Sequence, residues 1–163
     1  MKIVLTGGGT GGHVNPAIAI ADTVKRHEPS SEISFVGTPR GIENKLTSDA
    51  GYPIYHVDIQ GLKRKLTLSN IKTLYLTVTS PMKARKLLRE LKPDIVVGTG
   101  GYVCWPMIKA ASEMGIPTAL HESNAVPGAA VKMLAPFVDR IYINFEESAE
   151  YFSDKSKLYR VGN

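Results

Sequence analysis

The stretch GGGTGGHVNP, residues 7–16, decides the fold that this sequence predicts. It follows residues 2–6, which are typical of a buried strand, and it precedes a segment with helical periodicity. Gly7, Gly9 and Gly12 fit the pattern G-x-G-x-x-G in the strand–turn–helix context of a dinucleotide-binding loop. Glycines let a ligand approach the backbone closely, and free amides at the start of a helix attract phosphate. The stretch therefore favours a phosphate-binding loop, and the alternative is a tight structural turn.

Strand and helix patterns alternate along the rest of the chain. The further predicted strands are 33–37, 53–59, 94–98, 117–121, 140–143 and 158–161. The predicted helices begin at Pro16, behind an Asn15 cap, and cover 41–50, 69–91, 105–114, 128–134 and 146–152. This alternation predicts an α/β fold, a Rossmann-like doubly wound parallel sheet with the strand order 3-2-1-4-5. Ligands of such sheets bind at the carboxyl ends of the strands.

Length and composition are those of one globular domain. The chain has 163 residues, of which 43% are hydrophobic and 21% charged. No apolar run approaches the roughly 20 residues of a membrane span, and residues 1–5 are too short for a secretory signal. Cys104 is the only cysteine, so an internal disulfide is excluded. Residues 159–163 resemble a strand entering a turn, so we expect one domain of a longer protein.

Positive charge is concentrated in one segment. Residues 60–92 carry nine Lys or Arg and one Glu, a net charge of +8, whereas the other residues sum to −3. Such a segment favours a polyanion, namely nucleic acid, a phosphorylated substrate or anionic lipid, and the alternative is a solvated helix face. Aromatic residues that stack on bases are scarce there, with Tyr75 nearly alone, which disfavours nucleic acid.

Two more stretches follow the fourth and fifth predicted strands. GTGGY, residues 98–102, lies where a doubly wound sheet reverses direction, so both glycine-rich loops are expected to line one crevice. HESN, residues 121–124, brings polar side chains to the same edge. Asn124 is suited to bind a sugar hydroxyl, or instead to cap the next helix. His121 and Glu122 have the alternative of pairing with backbone groups.

A dinucleotide-binding protein normally has an acid at the end of its second strand, where it grips the ribose. Here the second predicted strand ends in Gly37-Thr38-Pro39, and no acid follows until Glu43. Arg40 nevertheless leaves an NADP-dependent oxidoreductase open as an alternative.

Three segments together resemble one family, the MurG family of bacterial peptidoglycan glycosyltransferases. They are GGGTGGHVNPA (7–17), KPDIVVGTGGYVCWP (92–106) and HESNAVPG (121–128). The resemblance spans essentially the whole chain and implies one half of the two-domain architecture called GT-B. Residues 1–163 would be its amino-terminal domain, which binds the acceptor and docks on the membrane. The donor-binding carboxy-terminal domain would lie outside this chain, so the isolated domain is expected to be inactive.

The resemblance also implies the reaction and the cellular setting. Members move N-acetylglucosamine from UDP-GlcNAc to lipid-linked MurNAc-pentapeptide, converting lipid I to lipid II in cell-wall biogenesis, with inversion at the anomeric carbon. The implied partners are UDP-GlcNAc, lipid I and an anionic membrane surface, with no nucleic acid. The expected location is the cytoplasmic face of the bacterial cell membrane, as a peripheral protein. No cofactor and no metal are predicted, since the sequence lacks a DxD-like pair of carboxylates.

Site residues are carried over from the family by motif. Near the donor sugar and its diphosphate, the resemblance places Thr10, Gly11, Gly12 and Asn124. Around the acceptor's diphosphate it places Gly100, Gly101 and Tyr102. The family often has glutamine at the position of Ser123, so no role is carried over to that residue.

The catalytic and membrane-docking residues are also expectations. His13, directly after the first glycine loop, is the best candidate for the general base, because imidazole accepts protons near neutral pH. Glu122 is the reserve candidate. Basic and apolar residues expected to dock on lipid are Lys63, Arg64, Lys65, Leu68, Ile71, Lys72 and Tyr75.

Two rivals to the transferase remain open from the sequence. One is the NADP-dependent oxidoreductase. The other is a non-catalytic membrane adapter that recruits a separate donor-binding subunit.

Overall fold

The computed structural model describes residues 1–59 and 69–162, with side chains in the helix 69–91 described from Thr77 onward. The described strands are β1 (Lys2–Thr6), β2 (Glu32–Gly37), β3 (Ile54–His56), β4 (Ile95–Gly98), β5 (Thr118–Glu122), β6 (Arg140–Ile143) and β7 (Leu158–Arg160). The described α-helices are α1 (Gly11–His27), α2 (Glu43–Asp49), α3 (Ser69–Leu91), α4 (Cys104–Glu113) and α5 (Ala129–Leu134). Short 3-10 helices cover Ala135–Phe137, Glu146–Tyr151 and Lys155–Lys157.

All the strands described pair in parallel in one sheet, in the order β3-β2-β1-β4-β5-β6-β7. The predicted order 3-2-1-4-5 is therefore confirmed, as is the doubly wound α/β class. Chain direction across the sheet reverses between β1 and β4, the switch point at which such folds bind ligands.

The first helix begins earlier than the sequence predicts. Thr10 has the extended backbone of a helix-capping residue (φ −146°, ψ 156°), and α1 starts at Gly11. The predicted start at Pro16 behind an Asn15 cap is wrong, because Pro16 lies within the helix. Glycine is a poor helix former. The first amides of a helix have no intrahelical acceptor, however, so the residues there contribute little helix stability by themselves, and the packing of the surrounding backbone decides where the helix starts.

The predicted helix at 146–152 is also different. These residues form a 3-10 helix at Glu146–Tyr151, and the structure offers no α-helical continuation there. Ser148 is its one buried residue and Ala149 is partly buried against the core, so it lacks the apolar face that would hold a full α-helix.

Side chains of β1 alternate between two cores. Ile3 and Leu5 pack with Ala17 of α1 on one face of the sheet, and Val4 packs with Leu88 of α3 and Met107 of α4 on the other. Both faces of a central parallel strand are thus covered, which explains its unbroken apolar run.

Strand register places the site loops at one level. Thr6, the last residue of β1, pairs with Gly98, the last residue of β4, and Gly98 pairs in turn with Leu120 of β5. The segments that follow these three strands therefore leave the sheet from the same edge. None of the described helices combines the length and hydrophobicity needed to cross a bilayer.

Candidate functional site

Two glycine loops meet at this edge of the sheet: the first glycine loop (residues 7–12) and the second glycine loop (residues 98–102). The Gly8 amide donates to the Gly100 carbonyl at 3.2 Å. A Cβ atom on Gly101, which has φ +84°, would overlap the Gly8 carbonyl oxygen. A Cβ atom on Gly7 would overlap the Thr99 hydroxyl. Part of the glycine content is therefore required by contact between the loops themselves.

Cys104 and Thr99 link the two loops through hydrogen bonds. The Cys104 thiol donates to the Thr6 carbonyl at 3.1 Å and accepts from the Gly100 amide at 3.3 Å. The Thr99 hydroxyl donates to the His13 carbonyl at 2.6 Å. Burial raises the pKa of Cys104 to about 12, so this side chain stays a neutral thiol and serves structure.

His13 lies in the first turn of α1, with its imidazole against the second glycine loop. A Cβ atom on Gly100 (φ +113°) would overlap the imidazole at Nδ1. Nδ1 is enclosed and has no hydrogen-bond partner within the described residues. The residue as a whole is only half-buried, so the side of the ring away from Nδ1, which carries Nε2, is the side left for a substrate hydroxyl. The structure thus brings His13, Gly100 and Gly101 together, as the sequence predicts.

The amides at the start of α1 are open. The Thr10 carbonyl accepts from the amides of His13 and Val14, at 3.1 and 3.3 Å, which closes the first turn. In the described part of the chain, no acceptor meets the amides of Gly11 and Gly12. Open amides at the positive end of a helix dipole attract anions. Tyr102 extends the same surface, since its ring lies 3.4 Å from the Cβ position of Gly9.

Not every amide of the first glycine loop is open, and the reason is Glu43, which sequence reasoning did not select. The Gly9 amide donates to Oε2 of Glu43 at 3.2 Å. The amides at the start of the helix, those of Gly11 and Gly12, are thus free as expected, whereas the Gly9 amide is occupied by Glu43 and the Gly8 amide by the Gly100 carbonyl. The sequence shows Glu43 as an acidic residue six positions after Gly37, the last residue of β2. That is too far from the end of the strand for the acid that binds ribose in dinucleotide-binding proteins.

Glu122 organises the loop after β5. It is 2% exposed, and its Oε1 accepts from the amide and the side-chain nitrogen of Asn124, at 2.9 and 2.7 Å. Its Oε2 accepts from the Gly128 amide at 3.0 Å. The capping residue of α5 is Gly128, so the alternative in which Asn124 caps that helix is wrong. Asn124 is exposed at the edge of the sheet, held there by Glu122.

His121 points into a different cavity. Its Nε2 lies 3.1 Å from Oδ1 of Asn144, and burial lowers the pKa of the imidazole, which favours the neutral ring. A cleft of about 500 Å³ lies between this histidine, Asn144 and the outward face of α1.

An apolar patch lies on the other face of the sheet, between α3 and α4. Val78 and Met82 of α3 are 69% and 70% exposed. Beside them, the Trp105 indole donates to the Thr77 carbonyl at 2.9 Å, and its ring packs edge-on against Phe137. We call these four side chains, Val78, Met82, Trp105 and Phe137, the α3–α4 patch. Neither Val78 nor Met82 is among the docking residues predicted from the sequence, because apolar helix residues are usually core.

Several predicted docking residues cannot be compared with the structure. Lys63, Arg64, Lys65 and Leu68 lie outside the described residues. Ile71, Lys72 and Tyr75 belong to α3, but their side chains also lie outside the described part. Within residues 1–59 and 69–162, no group of three or more His, Cys, Asp or Glu side chains is placed to hold a metal ion.

Comparison with known proteins identifies relatives of the whole chain. The model of the glycosyltransferase family 28 N-terminal domain matches residues 3–143. The UDP-N-acetylglucosamine–N-acetylmuramyl-(pentapeptide) pyrophosphoryl-undecaprenol N-acetylglucosamine transferase of Alkaliphilus oremlandii is 46% identical over all of this chain, which covers 44% of that protein. The protein of the same name from Pediococcus pentosaceus is 48% identical over all of this chain and 45% of its own length.

Solved structures give the same result for the fold. The crystal structure of Acinetobacter baumannii MurG superposes with a TM-score of 0.81 at 31% identity, over 99% of this chain and 45% of that one. The UDP-GlcNAc 2-epimerase of Neisseria meningitidis, bound to UDP-GlcNAc, has a TM-score of 0.71 at 17% identity, over 100% of this chain and 47% of that one, and shows likeness of fold alone. The chain thus spans less than half the length of the relatives it matches.

Proposed function

Since the chain belongs to glycosyltransferase family 28, whose amino-terminal domain model matches residues 3–143, we propose that it is the acceptor-side half of an inverting N-acetylglucosaminyltransferase. The full-length protein moves GlcNAc from UDP-GlcNAc to lipid-linked MurNAc-pentapeptide, converting lipid I to lipid II. The observation that carries this proposal is the joined pair of glycine loops, with the open amides of Gly11 and Gly12 beside His13. Because the chain spans less than half the length of these relatives, we expect residues 1–163 alone to be inactive.

The proposed mechanism assigns a task to each part of the site. The acceptor hydroxyl attacks the anomeric carbon from the face opposite UDP, and Nε2 of His13 accepts the hydroxyl proton as the new bond forms. Negative charge builds up on the departing diphosphate. Backbone amides and the positive end of a helix, such as those of Gly11 and Gly12, stabilise such charge.

The remaining residues position the substrates. Gly100, Gly101 and Tyr102 border the same crevice and hold the acceptor's diphosphate, while Thr10 contributes at the start of α1. Asn124 contacts the donor sugar. Both carboxylate oxygens of Glu122 already accept hydrogen bonds from the loop that carries Asn124, so we assign Glu122 to positioning and His13 to proton transfer.

A transfer assay on the full-length protein tests this function. Purified alone, it is expected to convert UDP-GlcNAc and a short-chain lipid I analogue into a β-linked disaccharide and UDP. Transfer by the single polypeptide contradicts the adapter alternative. Calorimetric titration with NADP is the control, and tight NADP binding without sugar transfer would instead support the oxidoreductase.

We further propose that the α3–α4 patch docks on the cytoplasmic leaflet, where the lipid acceptor is embedded. Val78 and Met82 share α3 with Lys83, Arg85, Lys86 and Arg89, of which Lys83 and Arg85 also pair with Asp58 and Glu113. The ammonium of Lys109 lies 3.7 Å from the centre of the Phe137 ring. Apolar side chains flanked by cations suit shallow insertion into an anionic interface.

Replacing both Val78 and Met82 with aspartate is expected to weaken binding to vesicles that contain phosphatidylglycerol by about tenfold or more. Burying each side chain in lipid contributes on the order of 1 kcal/mol, and aspartate adds repulsion from anionic lipid. Both positions are largely solvent-exposed, so the fold should tolerate the change. Vesicle sedimentation at fixed salt measures the effect.

Ile42→Asp is the matched control for this experiment. Ile42 is 49% exposed and precedes α2, which packs beside α1 on the opposite side of the sheet from α3 and α4. Its aspartate variant should bind vesicles as the wild type does. Equal losses in the control and the double variant would contradict docking through the α3–α4 patch.

A further inference from the structure

Glu43 is a carboxylate enclosed beside the candidate site. It is the first residue of α2 and 1% exposed. Its Oε1 accepts from the amide and the hydroxyl of Thr38, at 2.9 and 2.7 Å. Its Oε2 accepts from the Gly9 amide at 3.2 Å. One side chain thus joins the loop after β2 to the first glycine loop.

Glycines from both of these loops surround the carboxylate. A Cβ atom on Gly8 would lie 2.8 Å from Cδ of Glu43, and one on Gly37 would lie 2.5 Å from Cγ. A Cβ atom on Gly41 would overlap the carboxyl group. Any of these additions would push Glu43 away from its donors. The cradle is therefore shaped around a group that the protein itself supplies.

Glu43 is held in its charged form without a cation. None of the ion pairs among the described residues includes it. Burial acts to raise the pKa of Glu43, but the hydrogen bonds from Thr38 and Gly9 outweigh burial, and the pKa lies below its ordinary value. The negatively charged Glu43 carboxylate therefore lies directly behind the Gly9 amide at neutral pH.

We propose that Glu43 is the positioning residue of the first glycine loop: it occupies the Gly9 amide as an internal anion and confines the substrate diphosphate to the Gly11 and Gly12 amides beside His13. An anion at Gly9 would find the amide already bonded to Glu43, and it would be repelled by the Glu43 carboxylate about 3 Å from that nitrogen. The amides of Gly11 and Gly12, two and three residues further along the chain, are not occupied in this way. This inference rests on the proposed function, since it specifies where that site binds its diphosphate.

The kinetic test is Glu43→Gln in the full-length protein, with UDP-GlcNAc and a short-chain acceptor. Glutamine keeps the size of the side chain, and its oxygen can still accept from Thr38. It removes the charge, however, and places an NH2 group, which is a donor, opposite the Gly9 N–H, which is also a donor. The freed Gly9 amide then competes for the diphosphate and binds it away from His13. We expect kcat to fall more than fivefold, with the KM for UDP-GlcNAc unchanged or lower. A smaller fall in kcat, or a higher KM, overturns the proposal.

Asp139→Asn is the matched control for a purely structural effect. Oδ2 of Asp139 accepts from the amide and hydroxyl of Thr118, at 2.8 and 3.0 Å, the same arrangement that Glu43 makes with Thr38. Thr118 begins β5, so this pair lies at the opposite edge of the sheet from the site. Its variant should lower the melting temperature and leave kcat and KM within twofold of the wild type. An equal loss of kcat in both variants overturns the proposal.

Amide exchange provides a readout that does not depend on turnover. Deuterium uptake by the peptide covering residues 7–12 of the full-length protein should increase in Glu43→Gln, because Gly9 loses its acceptor. Glu43→Asp keeps the charge but is one methylene too short to hold both Thr38 and Gly9, so it should show the same increase with no fall in KM. Unchanged uptake in both variants overturns the inference, whereas a wild type that transfers no sugar contradicts the proposed function instead.

Discussion

Replacing His13 with alanine in the full-length protein is expected to lower kcat by about 10²–10⁴-fold, the usual contribution of a general base. The KM for UDP-GlcNAc should change little, because the amides of Gly11 and Gly12 remain in place. The prediction rests on the half-buried imidazole and on its place against Gly100. Steady-state kinetics with UDP-GlcNAc varied at a saturating acceptor concentration measures both constants.

Two variants separate proton transfer from packing. His13→Gln fills the space over Gly100 but accepts protons poorly, so it should be nearly as slow as the alanine variant. His27→Ala, at the exposed end of the same helix, should leave kcat unchanged. Turnover within threefold of the wild type in His13→Ala would remove this residue as the base.

Replacing Gly101 with alanine is expected to lower stability by about 2–5 kcal/mol and transfer by at least tenfold. A positive φ costs a non-glycine residue roughly 1–2 kcal/mol, and overpacking a tight contact adds about 1–3 kcal/mol. The new methyl group would overlap the Gly8 carbonyl and force the glycine loops apart. Urea denaturation and the transfer assay measure the two effects.

Gly115→Ala separates the backbone cost from the clash. Gly115 has φ +69°, but a Cβ atom there would meet nothing within 4 Å. We expect this variant to lose only about 1–2 kcal/mol of stability and no activity. If both alanine variants lose the same stability and Gly101→Ala remains fully active, the loop contact has no role in the site.

Much of the fold could be predicted because its causes are local and periodic. Apolar runs of strand length alternate with helical patterns, and handedness leaves few ways to connect them. That β1 and β4 end side by side follows from the topology, so the meeting of the two glycine loops could be predicted as well. The family resemblance then supplied roles for individual residues, and the comparisons show the family.

What escaped prediction depends on side chains that are distant in sequence. Glu43 meets Gly9 across 34 positions, and no short motif records such a pair. The exposure of Val78 and Met82 depends on how α3 lies on α4, which periodicity alone does not determine. The start of α1 was misjudged because Pro16 resembles a first helical residue, whereas the glycines before it have poor helix propensity.

The contact between Gly8 and Gly101 makes the shapes of two stretches more than 90 residues apart depend on each other. A Cβ atom on Gly101 would overlap the Gly8 carbonyl oxygen, and a Cβ atom on Gly8 would meet the Glu43 carboxylate. An insertion in either turn would move one backbone away from the other. Lineages that carry this domain should therefore keep both turns at constant length and accept changes there only in concert. Changes in loop length are easier to accommodate at the outer strands of the sheet than beside the paired strands β1 and β4.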